Sequence, residues 1–139
     1  MDLVERTITL PASLATTWEL LTQPSELGRW FGDEVSFEAT PGRAGSVVDH
    51  DGTRRSLVVD EVLEGRRLSW HWWADDDELA AATHVEISLT PTTDGTTVRV
   101  VERLAESSPP TAEASAAAAW SHRLLHLETL LLVAAAVRG

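Results

Sequence analysis

Three kinds of side chain in this sequence have the chemistry to bind or react: two charged residues set among apolar ones, five histidines and six tryptophans. Arg6 alternates with Val4, Ile8 and Leu10, and Glu102 alternates with Val98, Val100 and Leu104. Such alternation puts each charge on the inward face of a strand. A buried charge needs a partner, because an isolated one is very costly. The two are therefore expected to pair, either as a structural ion pair near the sheet end or as the polar feature of a ligand cavity. Glu102 is also the one candidate for a general acid or base, with His122 a distant second.

His122 and His126 stand four apart on a helical segment, a metal-compatible spacing. The glutamate that a zinc-protease helix carries between them is absent; Arg123, Leu124 and Leu125 stand there. No third ligand is evident, so no metal is expected. His71 and His84 are expected as a solvated pair on the outward faces of adjacent strands. His50, between Asp49 and Asp51, is expected as a solvated turn residue. Nucleophilic catalysis has little to stand on: cysteine is absent, and neither a Gly-x-Ser-x-Gly elbow nor a glycine-rich phosphate loop occurs. No cofactor is expected.

Trp30, Trp70, Trp72 and Trp120 all fall on inward faces. Each either fills the core or lines a pocket, offering an indole N–H to orient a ligand. At least two are expected to touch a cavity. Trp73 has the opposite parity, exposed or covered by a neighbouring chain. With an exposed sheet edge, it makes a homodimer a reasonable assembly.

The elements that must position these groups follow from the hydrophobic period. Leu3–Leu10 alternates and ends at Pro11. Ser13 caps a short helix carrying Leu14, Trp18 and Leu21. Pro24 opens a second short helix running to about Phe31. Six strands follow, separated by Pro41-Gly42, Asp51-Gly52, Glu64-Gly65, the acidic run Asp75 to Glu78 and Asp94-Gly95. After a break at Ser107-Ser108-Pro109-Pro110, a long Ala- and Leu-rich helix spans Thr111 to about Val137. Its stripe of Trp120, Leu124, Leu127, Leu131 and Ala134 is expected to be buried. An antiparallel sheet needs a cover, and this helix is the one element large enough. The expectation is an α+β fold: a curved sheet of about seven strands wrapped on the long helix, with space left between them.

The chain has 139 residues and 43% hydrophobic side chains, which suits a single domain over residues 1–139. Its net charge of −11 disfavours nucleic acid and anionic membranes as partners. No signal-peptide pattern opens it, and its most apolar stretch, Leu130 to Val137, is too short to span a bilayer. A cytoplasmic protein is expected.

An ordered set of residues resembles a known family. Arg6, Ile8 and Pro11 open it; Trp18, Leu21-Thr22, Pro24, Leu27 and Trp30-Phe31 follow in the small helices. Pro41-Gly42 with Gly45, Arg67-Leu68-Ser69-Trp70-His71-Trp72, Gly95-Thr96 with Val98 to Glu102, and Trp120 with Leu124 and Leu127 complete it. The sequence resembles the START-like (SRPBCC, birch-pollen-allergen-like) superfamily, and within it the bacterial homologues of the activator of the heat-shock-protein-ninety ATPase. Where such relatives carry Ser-Gly-aromatic after Glu102, this chain has Arg103-Leu104-Ala105, in a segment (Ala105 to Glu113) that borders the cavity mouth in such folds.

The resemblance implies a helix-grip fold enclosing a void, and a role in binding, sequestering or transporting a small hydrophobic ligand. The expected ligand-binding residues are Arg6, Trp30, Phe31, Trp70, Trp72, Val85, Ile87, Val100, Glu102, Trp120, Leu124 and Leu127. One alternative is a polyketide cyclase or aromatase using the same cavity, with Glu102 in the reaction. A second is a co-chaperone-like module stimulating a chaperone ATPase. That role resembles a property of larger eukaryotic relatives with an extra domain, and this chain is expected to lack one.

Overall fold

The computed structural model describes residues 3–75, 82–105 and 108–138, with side chains to residue 133. The acidic run beyond Asp75, part of the segment after Ala105, and the Ala134 side chain lie outside the described residues.

The elements run β1 (Leu3–Leu10), α1 (Leu14–Thr22), α2 (Pro24–Leu27), β2 (Glu34–Ser36), β3 (Ala44–Val48), β4 (Arg54–Leu63), β5 (Arg67–Ala74), β6 (Thr83–Thr92), β7 (Gly95–Arg103) and α3 (Ala112–Arg138). The strands form one curved antiparallel sheet in the order β1-β7-β6-β5-β4-β3-β2. This is the α+β helix-grip arrangement expected. Consecutive strands from β2 to β7 are neighbours in the sheet, and β1 closes against β7 with Val4 opposite Glu102.

Local chemistry explains the boundaries. Ser13 caps α1, its hydroxyl accepting the Thr16 N–H at 3.1 Å. Thr17, Leu20, Leu21 and Thr22 form the buried side of α1, while Leu14 and Trp18 are only half-buried. Regular helix in α2 stops at Leu27, short of the expected Phe31. One further turn, closed by Phe31 N–H to the Leu27 carbonyl at 2.8 Å, swings Phe31 inward. The strands alternate as the sequence requires, with one interruption. Val59 pairs with Trp70 and Glu61 with Ser69, so Asp60 is left over as a β-bulge.

The inner face carries Val59, Leu68, Trp70, Trp72, Val85, Ile87, Val98 and Val100, and α3 covers it with Trp120, Leu124 and Leu127; all are buried. No helix among the described residues is long and apolar enough to cross a membrane.

Candidate functional site

Glu102 is buried on the inner face of β7. Its Oε1 accepts the Trp120 indole N–H at 2.8 Å, and its Oε2 accepts the Trp72 indole N–H at 2.9 Å and the Thr83 hydroxyl. A carboxylate only accepts, so it is suited to serving three donors. The expected Arg6–Glu102 pair does not form. Arg6 has inward parity, but β1 is the edge strand, and its side chain runs out to solvent at the rim. There Nε donates to Ser121 Oγ of α3 at 3.0 Å and Nη1 to the Glu5 carbonyl at 2.8 Å. Indoles and a hydroxyl, not a guanidinium, meet the demand of the buried carboxylate.

The buried cation is Arg123, which sequence reasoning missed. It stands three residues after Trp120 and four before Leu127, inside the buried stripe of α3, so its position carried the signal. Its Nη2 donates to Asp49 Oδ1 at 2.9 Å. Its Cζ lies 4.7 Å from the Trp120 ring centroid and 5.1 Å from those of Phe31 and Trp72. Aromatic faces attract a desolvated guanidinium. Burial pulls the Arg123 pKa down, and the Asp49 carboxylate opposes that. Asp49 also accepts Arg55 Nε at 2.8 Å, and the Arg55 Cζ lies 4.9 Å from the Trp72 ring. Trp72 is therefore shared by two guanidinium groups and bonded to Glu102.

Above this box lies an open cleft of about 330 Å³, lined by Phe31, Asp49, His50, Asp51, Ala119, His122 and Arg123. Two backbone features place its walls. At Gly32 a Cβ would come within 2.7 Å of the Val48 carbonyl oxygen, so only glycine lets the chain carrying Phe31 lie against β3. Gly52, at φ +88°, turns the β3–β4 connection, and Asp51 Oδ1 accepts the Thr53 N–H at 2.9 Å. That bond lowers the Asp51 pKa.

His50 is an exposed turn residue, as expected, but it has neighbours. Its Nδ1 meets Asp33 Oδ1 at 2.7 Å, and its ring lies 4.9 Å from His126 and 5.7 Å from His122, centroid to centroid. The rings of His122 and His126 are 4.3 Å apart. Burial first, then His122 and His50, lower the His126 pKa.

The expected ligand-sized void is filled. The interior cavity among the described residues has about 10 Å³, room for one water. Phe31 packs edge-on against Trp30 at 5.2 Å, Trp70 at 6.0 Å and Trp120 at 5.8 Å, so the rings occupy the space between sheet and helix. Of the residues singled out for a ligand, Trp30, Phe31, Trp70 and Ile87 line this cavity. Trp72, Val85, Val100, Glu102, Trp120, Leu124 and Leu127 are buried in the packed core, and Arg6 lies outside it. The Trp30 N–H donates to the Leu20 carbonyl at 2.8 Å, whereas Trp70 Nε1 is buried without a partner. Phe31 lines both the cavity and the cleft. A larger depression of about 410 Å³, beside Trp18 and Phe37, has no buried charge in its lining. On the outer face of the sheet, His71 and His84 meet as expected, ring centroids 4.7 Å apart, but Asp60 joins them.

A family model described as "Activator of Hsp90 ATPase homolog 1-like protein" matches residues 11–131. The chain belongs to that family. Several solved structures are similar to it. DynU16, a protein of the dynemicin biosynthetic locus, is 27% identical, with a TM-score of 0.85 over 94% of this chain and 47% of that one. The Aha1-like chain thus spans about half the length of DynU16. Protein MLL2253 from Mesorhizobium loti is 24% identical, with a TM-score of 0.83 over 93% of this chain and 96% of that one. The Aha1 dimer from Colwellia psychrerythraea is 18% identical, with a TM-score of 0.81 over 94% and 96%. These last two share the fold. No curated protein matches the sequence significantly.

Proposed function

We propose that this chain binds and sequesters or transports a small organic molecule, whose apolar body passes Phe31 from the cleft towards Trp70. The observation that carries this reading is that Phe31 lines both the open cleft and the small interior cavity. Rotation of one benzyl group joins the two spaces. Apolar ligand surface then leaves water, at roughly 25 cal/mol per Å² buried. The unpartnered Trp70 N–H gains an acceptor, while His50, His122 and Asp49 at the rim orient the polar end. The likeness to DynU16, a protein of a biosynthetic locus, supports a small molecule as ligand.

Binding is favoured over turnover because Glu102, the candidate acid or base, is absent from the cleft wall and spends both oxygens on its three donors. The test is native mass spectrometry of the protein purified from its own host. A bound small molecule released on unfolding is the expected result. Ligand-free protein that also fails to take up small aromatic probes defeats the proposal. Turnover of a ring-forming polyketide substrate, lost on replacing Glu102, would establish the cyclase alternative instead.

We also propose a homodimer through the exposed Leu125, Leu132 and Val133 on the back of α3. A monomeric mass by light scattering refutes it. The absence of cysteine and the acidic surface support a cytoplasmic setting, which cell fractionation checks.

A further inference from the structure

We propose that Asp60, His71 and His84 form a divalent transition-metal site, suited to zinc, on the outer face of the sheet. Three neighbouring strands supply one ligand each. His71 of β5 and His84 of β6 are direct cross-strand partners, so both imidazoles leave the sheet on the same side. Asp60 is the bulged residue of β4. It follows inward-facing Val59, so its carboxylate lies on the outer face, and the bulge leaves it without a cross-strand partner in β5.

The three donor atoms already lie close together. Asp60 Oδ2 contacts His71 Nδ1 and lies 3.7 Å from His84 Nε2. One donor atom from each of the three residues lies within 4.8 Å of the others, and no other trio of metal-ligating side chains among the described residues meets that condition. A tetrahedral zinc ion with bonds of about 2.0–2.1 Å holds its ligands roughly 3.3 Å apart, a spacing that small side-chain torsions reach. With an ion at Nδ1, a neutral His71 carries its proton on Nε2.

The donor set selects the metal class. Two imidazoles and one carboxylate suit zinc, nickel, cobalt or copper, whereas magnesium and calcium prefer all-oxygen spheres. The three side chains are exposed or partly exposed, leaving a fourth position for water or a ligand. A net charge of −11 draws cations towards the chain. The histidines at the cleft do not form such a trio of mutually close ligand atoms among the described residues.

The experiment titrates the full chain with cobalt(II) chloride, followed by visible absorption, and with zinc chloride, followed by calorimetry. The variants are His84→Ala, Asp60→Asn and, as a control on the other cluster, His122→Ala. One ion per chain is expected, bound at least about tenfold more weakly by the first two variants and with unchanged affinity by the third. Melting temperatures near wild type show that the variants fold, and Asp60→Asn carries the test alone if His84→Ala does not. No binding by the wild type, wild-type affinity in Asp60→Asn, or a loss confined to His122→Ala would each overturn the proposal.

Discussion

Arg123 of the long helix donates to Asp49 of the β3–β4 turn across 2.9 Å and 74 residues of sequence. The bond ties the cover of the fold to the cleft wall. It also makes the energetics of the two partners unequal, because Asp49 has a second cation in Arg55 and Arg123 has no second carboxylate within hydrogen-bonding distance among the described residues.

Asp49→Asn leaves a buried guanidinium without its counter-charge and should cost about 3 kcal/mol of stability. Arg123→Met leaves Asp49 paired with Arg55 and fills the aromatic box with a thioether, at a cost below about 1.5 kcal/mol. Denaturant unfolding of both variants measures the difference. The ranking fails if Arg123→Met is the more damaging.

Glu102→Gln replaces one accepting oxygen with an NH₂ group facing an indole N–H. One donor is orphaned, for a loss of about 1–3 kcal/mol. Adding Trp120→Phe removes a donor and should recover part of that loss. Equal stability of wild type and Glu102→Gln would show that the carboxylate does not organise this core.

Phe31→Ala should merge the cleft with the interior cavity. An anilinonaphthalene dye should then bind about tenfold more tightly, equivalent to about 1.4 kcal/mol, although the protein itself loses about 3 kcal/mol. Fluorescence titration reads the affinity. An unchanged affinity in a folded variant would show that Phe31 is not the dividing wall.

The His126 pKa is lowered in the folded chain from its ordinary 6.5. As pH falls, the unfolded chain takes up this proton before the folded one, so the unfolded state gains. The stability contribution is whole above about 6.5 and declines below it. His126→Gln removes this component. The drop in melting temperature between about pH 7.5 and pH 5.5 should be smaller in that variant than in wild type, and an identical drop would refute the assignment.

Local chemistry made most of the fold legible. Alternation, proline and glycine signals depend on neighbours in sequence, and they placed seven strands, the Ser13 cap and the Trp120, Leu124 and Leu127 stripe of α3, although Leu131 is only half-buried. Glu102 and the inward tryptophans were also readable, because parity says which side chains face the core. Partnership was not. Arg6 shares the parity of Val4 and Ile8, but strand order puts β1 at the edge, and only there does an inward residue escape to solvent. Asp49 and His50 sit in a turn whose sequence reads as solvated; nothing local shows that α3 crosses above it. The register of Arg123 with Trp120 and Leu127 points inward, whereas its charge argues for the surface; the Phe31 and Trp72 rings that accept the guanidinium come from distant segments. Volume was least legible of all, since the same tryptophans can line a void or fill one.

The stacking of Trp72 on Trp120, 5.9 Å apart with planes 27° from parallel, has an optical consequence, and Trp70 lies 5.6 Å from one and 6.4 Å from the other. Indoles this close share their electronic excitation, and the coupled transitions add a dichroic couplet to the peptide bands in the far ultraviolet. Helix content read from that spectrum will be distorted by the trio. The couplet in turn becomes a gauge of ring orientation, fading when the indoles separate even while the backbone keeps its hydrogen bonds.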